Sequence, residues 1–334
     1  MTKKAKIIEL LEAAGKLYFY LYEYDNKQKN ILTRGIDLLF CKDMSFLEKV
    51  LLVYARLTKR TSKRVAQIRI KYSNVYNYHE RAILKTIFDS FGFGKFITLP
   101  FSEGDPNYNE AIECFFRNCR EIFYKNHCRL DKLLDDNDVI IDGGASIGLF
   151  SLYAKNLKEN VSCLVFEPEE RSFKALKENL QDYKNVKFFN EALSDTVKEG
   201  ELLISSNILM HRLNSELIDL DLKANYYDAQ KVRLNTIDNV FFETNTKIDL
   251  IKLDIEGAEL LALRGGVKTI QECDPLLLVA VDHAKKQRDK VIKFVRDHFE
   301  HYCFTEFTFL SYRNALFYDP KKHLDRIKRL QEKK

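Results

Sequence analysis

The 334-residue sequence lacks the features that mark several classes of protein. No apolar run approaches the roughly 20 residues needed to cross a bilayer, and the first residues have no uninterrupted apolar core of the signal-peptide kind. The seven cysteines include no Cys-x-x-Cys pair, which argues against a disulfide framework and against a zinc site. We therefore expect a globular, cytoplasmic protein without a membrane span, and its 46% hydrophobic content is enough for a large core.

The net charge of +5 is distributed unevenly. Residues 1–137 contain 24 Lys and Arg against 17 Asp and Glu, whereas residues 138–334 contain 30 against 32. Six of the cations lie between Lys59 and Lys71 and are followed by three tyrosines. Cations interleaved with aromatic rings can hold a nucleic acid or an anionic glycan, but a charge run is more often a solvated helix face. We do not expect a nucleic-acid partner.

The pattern of apolar and turn residues divides the chain into three segments. Helical spacing of apolar residues predicts a mainly helical N-terminal region over residues 1–105, for which the sequence indicates no role. Turn residues between Pro100 and Pro106 mark its end. Residues 106–320 carry alternating strand and helix signals, and residues 321–334 are predicted to be a charged C-terminal helix or tail.

From Asp138 onward this alternation predicts a parallel sheet with helices on both faces. The strand signals are apolar runs rich in β-branched residues and too short for helices. The predicted strands are Val139–Ile141, Ser162–Phe166, Val186–Asn190, Glu201–Ser205, Lys231–Thr236, Asp249–Asp254, Pro275–Val281 and a closing antiparallel pair, Cys303–Phe309 with Asn314–Tyr318. The predicted helices are Asn109–Leu134, Leu149–Leu157, Glu169–Asp182, Gly257–Leu263, Val267–Cys273 and Lys285–Phe299.

The turn after the first predicted strand is the most informative stretch of the sequence. It begins at Asp142 and ends where the helix at Leu149 begins. Small residues let this backbone turn sharply and approach a ligand without Cβ clashes, and the first amides of the helix point back into the crevice. The small residues are Gly143, Gly144, Ala145, Ser146 and Gly148. A nucleotide-like ligand is predicted here.

The next strand ends at an acidic residue, Glu167, followed by Pro168. A carboxylate about 20 residues after such a turn usually accepts the hydroxyls of a ribose. Ala145 replaces the middle glycine of Gly-x-Gly-x-x-Gly, which argues against a dinucleotide. Asp142 would also repel a pyrophosphate, whereas it suits a cofactor with a cationic sulfonium and an amino group. The residues therefore favour S-adenosylmethionine over NAD.

Five motifs, in this order, resemble those of FkbM-type S-adenosylmethionine-dependent methyltransferases. They are Val139–Gly148, Phe166–Pro168, Asn190–Asp195, Asn235–Asp238 and Ile251–Glu259. The resemblance covers about residues 110–319 and implies the class I methyltransferase fold: a doubly wound, Rossmann-like α/β fold with a seven-stranded, mostly parallel sheet whose last strand is antiparallel. It also implies methyl transfer, usually to a hydroxyl oxygen of a sugar, glycan or polyketide-like product.

The resemblance further implies which residues bind the cofactor. Asp142 and Gly144 would flank the methionine portion, Glu167 would bind the ribose, and Glu191 with Ala192 would lie beside the adenine. The residues expected to contact the cofactor are Asp142, Gly143, Gly144, Ala145, Ser146, Gly148, Glu167, Pro168, Glu191, Ala192 and Asp254.

Two further predicted strands end in residues that carry acid–base chemistry. Asp254 ends one strand, and Asp282 and His283 end the other. In the doubly wound order these strands lie on the same side of the first strand, so the three residues can converge beside the transferred methyl group. A hydroxyl nucleophile must lose its proton, and a neutral imidazole near pH 7 is suited to accept it. We predict His283 as the first candidate base and Asp254 as the second.

Other roles near these strand ends stay open. One hypothesis places Mg²⁺ between Asp254 and Asp282, where it would lower the pKa of the hydroxyl. Glu256 and Glu259 are expected to stabilise the N-terminus of the following helix. His211 is a further candidate for lining the acceptor pocket.

Three classes of function are compatible with the sequence. The first is methyl transfer to a hydroxyl of a small molecule or glycan. The second is a non-catalytic binding or scaffold protein that keeps this fold, and the third is an NAD-dependent oxidoreductase. The sequence does not identify the acceptor.

Overall fold

The computed structural model describes residues 98–101, 118, 122, 128–205, 211–215, 226–283, 286–309 and 312–332. The chain divides into two units, Met1–Gly94 and Lys95–Lys334, and all of these residues belong to the second. The predicted helical N-terminal region, its cationic segment and most of the predicted helix Asn109–Leu134 lie outside the described residues. Within these ranges, no helix combines the length and the apolar character needed to cross a membrane.

The described part of the chain alternates strands and helices along most of its length. Its strands are β1 (Val139–Gly143), β2 (Ser162–Phe166), β3 (Val186–Phe189), β4 (Glu191–Leu193), β5 (Lys198–Ser205), β6 (Arg212–Leu213), β7 (Tyr226–Asn235), β8 (Leu250–Leu253), β9 (Leu276–Ala280), β10 (Cys303–Phe309) and β11 (Tyr312–Tyr318). Its helices are α1 (Leu130–Leu133), α2 (Leu149–Leu157), α3 (Glu170–Leu180), α4 (Ile237–Thr244), α5 (Glu259–Arg264), α6 (Val267–Cys273), α7 (Gln287–His298) and α8 (Leu324–Gln331).

Seven of these strands form one sheet in the order β10-β11-β9-β8-β1-β2-β3. The pairs β1–β2, β2–β3, β1–β8 and β8–β9 are parallel, and β11 is antiparallel to both of its neighbours. The structure therefore confirms the predicted doubly wound, mostly parallel α/β sheet with its antiparallel closing strand. The chain leaves β1 toward β2 and β3 and returns on the other side at β8, so a crevice opens at the carboxyl ends of β1 and β8.

Burial explains why the central strands are easy to recognise in the sequence. Every residue of β8 and β9 is buried, as expected for parallel strands that are covered on both faces. Their apolar side chains form the main core together with residues of α4 to α7. Such continuous apolar runs leave little choice of structure, because exposing either face to water would be unfavourable.

A second sheet, in the order β4-β7-β5-β6, is the main feature absent from the predicted architecture. Two of its strands are near the predicted strands Glu201–Ser205 and Lys231–Thr236, but β5 and β7 are longer and pair antiparallel. Buried side chains alternate with more exposed ones over Glu201–Ile204 and Lys231–Leu234, so this part of each strand has one apolar face. Those faces pack with Ala258 and Leu261 in a small second core. This core places the second sheet beside the loop that follows β8.

The C-terminal segment forms helix α8 rather than a tail. Arg326 donates to both carboxylate oxygens of the buried Asp138, at 2.7 and 2.8 Å, and to the main-chain oxygen of Leu133 at 3.0 Å. Arg329 donates to Asp135 at 2.8 Å. These contacts fasten α8 to α1 and to the loop before β1. The predicted segment boundaries at residues 105 and 320 stay predictions.

Candidate active site

The glycine turn between β1 and α2 lies directly against the loop that follows β8. Gly144 has a φ of +72°, and a Cβ at this position would lie 2.0 Å from the main-chain oxygen of Asp254. No other residue type fits there without moving one of the two segments. The amides of Gly144 and Ala145 both donate to the main-chain oxygen of Phe166, at 3.1 and 2.9 Å. The turn is thereby held between the carboxyl ends of β2 and β8.

A buried lysine on β8, which was not predicted from the sequence, stabilises this turn. Lys252, on β8, donates to the main-chain oxygens of Gly143 at 3.0 Å and Gly144 at 2.9 Å. Its ammonium also lies 3.0 Å from Asp142 Oδ1, and Ser151 Oγ donates to Asp142 Oδ2 at 2.7 Å. Burial alone would lower the pKa of Lys252, but the carboxylates of Asp142 and Asp254 raise it above its ordinary value.

This arrangement changes the interpretation of Asp142. Its carboxylate is fully buried and faces Lys252. The electrostatic argument from Asp142 to a cationic cofactor therefore does not hold in the fold, because an ammonium already balances this charge. Contact between Asp142 and the cofactor stays a prediction, and the observed role of the side chain is to position the turn.

Glu167 lies between the glycine turn and the loop after β2, as expected. Its Oε2 accepts the amide of Ser146 at 2.9 Å, and its Oε1 accepts the amide of Glu169 at 2.9 Å. Asn190 Nδ2 donates to the main-chain oxygens of Glu167 and Pro168 at 2.9 and 3.1 Å. Burial raises the pKa of Glu167 to about 7. The structure thus brings Ser146, Glu167 and Pro168 together at the edge of the crevice.

Glu191 and Ala192 lie on β4, at the edge of the second sheet. Asn235 Nδ2 donates to Glu191 Oε2 at 2.6 Å, and Arg233 Nε lies 3.3 Å from Glu191 Oε1. Ala192 is buried in the second core. These contacts connect Glu191 to β7, and the predicted place of both residues beside the adenine stays a prediction.

On the other side of the turn, His283 is surrounded by carboxylates. Its Nε2 lies 3.4 Å from Asp254 Oδ1 and 3.9 Å from Glu256 Oε1, and its Nδ1 lies 2.8 Å from Glu259 Oε1. The Asp254 side chain is 51% exposed, whereas that of Glu259 is fully buried. The structure therefore confirms the convergence of Asp254 and His283, and it adds two glutamates to the cluster.

Glu259 has a different role from the one expected. It is the first residue of α5, but its Oε1 accepts the amide of Ile255 at 2.9 Å, and Gln287 Nε2 donates to its Oε2. Gln287 also accepts the amide of His283 at 2.9 Å. Glu259 therefore fixes the imidazole rather than stabilising only its own helix.

Arg212, on β6, joins the two loops of this cluster and was also missed from the sequence. Its Nε donates to the main-chain oxygen of Glu256 at 2.8 Å, and its Nη2 donates to that of His283 at 3.0 Å. The side chain lies in the interior of the protein. Nothing in the sequence near Arg212 indicates this role, because the contact depends on how the second sheet packs.

The carboxylates argue against His283 as a neutral base. Burial by itself would lower the pKa of His283, but Glu256, Glu259 and Asp254 raise it well above its ordinary value. This shift favours the protonated form of the ring. The ranking of His283 as the first candidate base and Asp254 as the second stays a prediction.

Asp282 and His211 each accept a main-chain amide. Asp282 Oδ2 accepts the amide of Arg313 at 3.2 Å, and burial raises the pKa of Asp282. His211 Nδ1 accepts the amide of Ser205 at 3.1 Å, and burial lowers the pKa of His211 to about 4. His211 is therefore neutral near pH 7, and its place in the acceptor pocket stays a prediction.

The hypothesis of Mg²⁺ between Asp254 and Asp282 is not supported. Of the two groups of described residues whose possible ligand atoms all lie within 4.8 Å of one another, the one that includes Asp254 consists of Asp254, Glu256 and His283. This set contains a histidine nitrogen, whereas Mg²⁺ takes oxygen ligands.

A model of the family described as "Methyltransferase FkbM domain" matches residues 142–309, which is half of the chain. The matched range begins at Asp142 and includes the glycine turn, Glu167 and the cluster around His283. The chain belongs to the FkbM methyltransferase family. The match confirms the family that the five motifs indicated.

Individual relatives resemble only parts of the chain. The methyltransferase sdnD of Sordaria araneosa is 31% identical over 181 residues, covering 44% of this chain and 66% of sdnD. The AMB antimetabolite synthetase AmbE of Pseudomonas aeruginosa is 28% identical over 169 residues, covering 40% of this chain and 8% of AmbE. The chain thus matches less than two thirds of either relative. A crystal structure of the FkbM methyltransferase of Methylobacillus flagellatus KT gives 15% identity and a TM-score of 0.42, covering 70% of this chain and 58% of that one.

The pairing of Lys252 with Asp142 predicts how variants of this FkbM chain unfold. We expect Lys252→Met to lower the free energy of unfolding by about 3–5 kcal/mol, because it leaves the buried Asp142 carboxylate unpaired. Adding Asp142→Asn removes the unpaired charge, so the free energy of unfolding of the double variant is expected to lie above that of Lys252→Met. Urea denaturation followed by circular dichroism measures both effects.

Lys155 provides a matched control for this cycle. Its buried ammonium donates to the main-chain oxygens of Glu159 and Val161. Asp142→Asn is therefore not expected to recover stability in a Lys155→Met background. Strictly additive losses for Lys252→Met and Asp142→Asn would contradict the pairing.

Proposed function

We propose that this chain is an S-adenosylmethionine-dependent O-methyltransferase that acts on a hydroxyl of a sugar, glycan or other small molecule. The observation that carries the proposal is the close approach of Gly144 to Asp254, where a Cβ would lie 2.0 Å from a main-chain oxygen. This contact joins the turn predicted for the cofactor to the polar cluster predicted for the acceptor. Membership of the FkbM family supports methyl transfer as the reaction.

The residues around the turn fit an adenosyl cofactor. Gly144 and Gly148, with φ of +72° and +91°, let the turn approach Asp254 on one side and Leu176 and Leu180 of α3 on the other more closely than a residue with a Cβ could. Glu167 is held at this turn by the amides of Ser146 and Glu169, and its oxygens can also accept the two ribose hydroxyls. When bound, S-adenosylmethionine supplies a methyl group on a cationic sulfonium.

Asp254 is the residue best placed to handle the acceptor. Its half-exposed carboxylate follows β8 next to the turn, so a hydroxyl bound there lies beside the cofactor crevice. Methyl transfer is an in-line displacement, and holding the acceptor hydroxyl and the methyl donor in line removes a large part of the activation barrier. We assign Asp254 to orient the hydroxyl and accept its proton while the oxygen attacks the methyl carbon.

Binding of the product S-adenosylhomocysteine tests the cofactor part of the proposal. We expect Glu167→Gln to weaken binding by about 10- to 100-fold, because hydrogen bonds to a charged acceptor are each worth about 1.5–3 kcal/mol. Isothermal titration calorimetry measures the affinity, and Glu170→Gln, an exposed glutamate on α3, is the control that should leave it unchanged. NADH should not bind.

Failure of the wild-type chain to bind S-adenosylhomocysteine would contradict the proposal and favour a non-catalytic scaffold. Binding of NADH instead would favour an oxidoreductase.

The raised pKa of Glu167 predicts a pH dependence of the same binding. The ribose hydroxyls donate to the ionised carboxylate, and the pKa of about 7 means that the group is protonated in the free protein at lower pH. Affinity for S-adenosylhomocysteine should therefore fall about tenfold per pH unit below pH 7 and level off above it. Calorimetry between about pH 5.5 and 8.5 measures this slope. An equal slope in Glu167→Gln would contradict the assignment.

Methyl transfer itself tests the role of Asp254. A polysaccharide and metabolite extract is incubated with a labelled methyl donor and the products are identified by mass spectrometry. We expect label on oxygen, and we expect Asp254→Asn to lower the rate by about 10²- to 10⁴-fold, as for loss of a general base, while cofactor affinity stays within about threefold. An unchanged rate would contradict the role of Asp254, and label on nitrogen or carbon would contradict O-methylation.

A further inference from the structure

The possible ligand atoms of Asp254, Glu256 and His283 lie within 4.8 Å of one another, close enough to reach one metal ion after small side-chain movements. His283 Nε2 lies 3.4 Å from Asp254 Oδ1 and 3.9 Å from Glu256 Oε1. These separations exceed the roughly 2.7–2.9 Å of a charge-assisted hydrogen bond. Ligands bound at about 2.0–2.2 Å from a common metal ion lie about 3.0–3.5 Å apart. One contact already has this spacing, and the other requires only a small movement of the Glu256 side chain.

A buried carboxylate behind the ring sets the orientation of the imidazole. Glu259 Oε1 lies 2.8 Å from His283 Nδ1, and Glu259 is itself fixed by the amide of Ile255 and by Gln287. A histidine that ligates a metal through one nitrogen usually donates its other N–H to such a carboxylate. This contact assigns the proton to Nδ1 and turns Nε2 toward Asp254 and Glu256.

The charged side chains around this group are mainly negative. Four carboxylates lie in the neighbourhood of His283, those of Asp254, Glu256, Glu259 and Asp282. Arg212 supplies one permanent positive charge beside Glu256. Arg212 is also buried, and its Nη1 has no hydrogen-bond partner within the part of the chain that the structure describes. Lys252 adds a second positive charge near Asp254. The four carboxylates still outnumber these two cations, and this surplus of negative charge favours a bound cation.

We infer that Asp254, Glu256 and His283 form a site for one divalent transition-metal ion, such as Zn²⁺, Mn²⁺ or Fe²⁺. One imidazole nitrogen and two carboxylate oxygens suit these ions, whereas Mg²⁺ and Ca²⁺ take oxygen ligands alone. Three protein ligands leave coordination positions for water or for a substrate oxygen. Where the proposed O-methylation holds, an acceptor hydroxyl in such a position would lose its proton more easily.

Cobalt(II) is a suitable probe, because its visible absorption reports its ligands. Chelator-treated protein is titrated with Co²⁺ in the absence of S-adenosylmethionine, with absorption and calorimetry as readouts. We expect one Co²⁺ per chain and competition by Zn²⁺. His283→Ala should weaken binding at least 100-fold, and Glu259→Gln should weaken it by about 10- to 100-fold, as for loss of an outer-shell partner.

A second group of the same residue types provides the control. Asp274, His301 and Asp319 also bring their possible ligand atoms within 4.8 Å. There His301 Nε2 already contacts Asp274 Oδ1 at 2.8 Å, and the ring is about half exposed. His301→Ala should leave the cobalt affinity and spectrum unchanged.

Several results would overturn the metal site. They are the absence of Co²⁺ binding at millimolar concentration, equal binding by wild type and His283→Ala, and loss of binding in His301→Ala. If His283→Ala does not fold, as judged by circular dichroism, Glu256→Gln decides in its place, with the same expected loss. Because no cofactor is present, this titration can fail while S-adenosylhomocysteine still binds, and the reverse also holds.

Discussion

The ammonium of Lys252 is the interaction on which the candidate site most depends. It lies in the interior between β1 and β8, where it meets the Asp142 carboxylate and the main-chain oxygens of Gly143 and Gly144. A buried charge of this kind is tolerated only when it is paired and hydrogen-bonded. Because all three partners belong to the end of β1 and its turn, the chain there can adopt few other conformations. The turn is thus fixed in place before any ligand binds.

Two loops with different chemistry meet at that fixed turn. Ser146 and Glu167 lie on the side of β2, while Asp254, Glu256 and His283 lie on the side of β8 and β9. The second sheet reinforces the latter side, because Arg212 on β6 holds the main-chain oxygens of both loops. A cofactor on one side and an acceptor on the other would then be aligned by the backbone rather than by mobile side chains.

Much of this architecture could be predicted because it depends on local sequence. Strand β9 is a continuous buried apolar run and β8 is one interrupted only by Lys252. Glu167 follows β2 at the spacing that a ribose-binding carboxylate requires. Glu259 and Arg212 could not be assigned in this way. Both act through long-range contacts, Glu259 with His283 and Arg212 across the second sheet, and such contacts leave no periodic signal in the sequence. The raised pKa of His283 could not be predicted for the same reason, since it depends on three carboxylates that only the fold brings together.

The central claim is that one crevice, between Glu167 and Asp254, holds the cofactor and presents it to the acceptor. A crystal structure of the chain with S-adenosylhomocysteine tests this claim most directly. We predict that both ribose hydroxyls lie about 2.5–3.0 Å from the Glu167 carboxylate and that the sulfur faces the Asp254 side of the glycine turn. A ligand bound elsewhere, or one whose sulfur points away from Asp254, would contradict the claim.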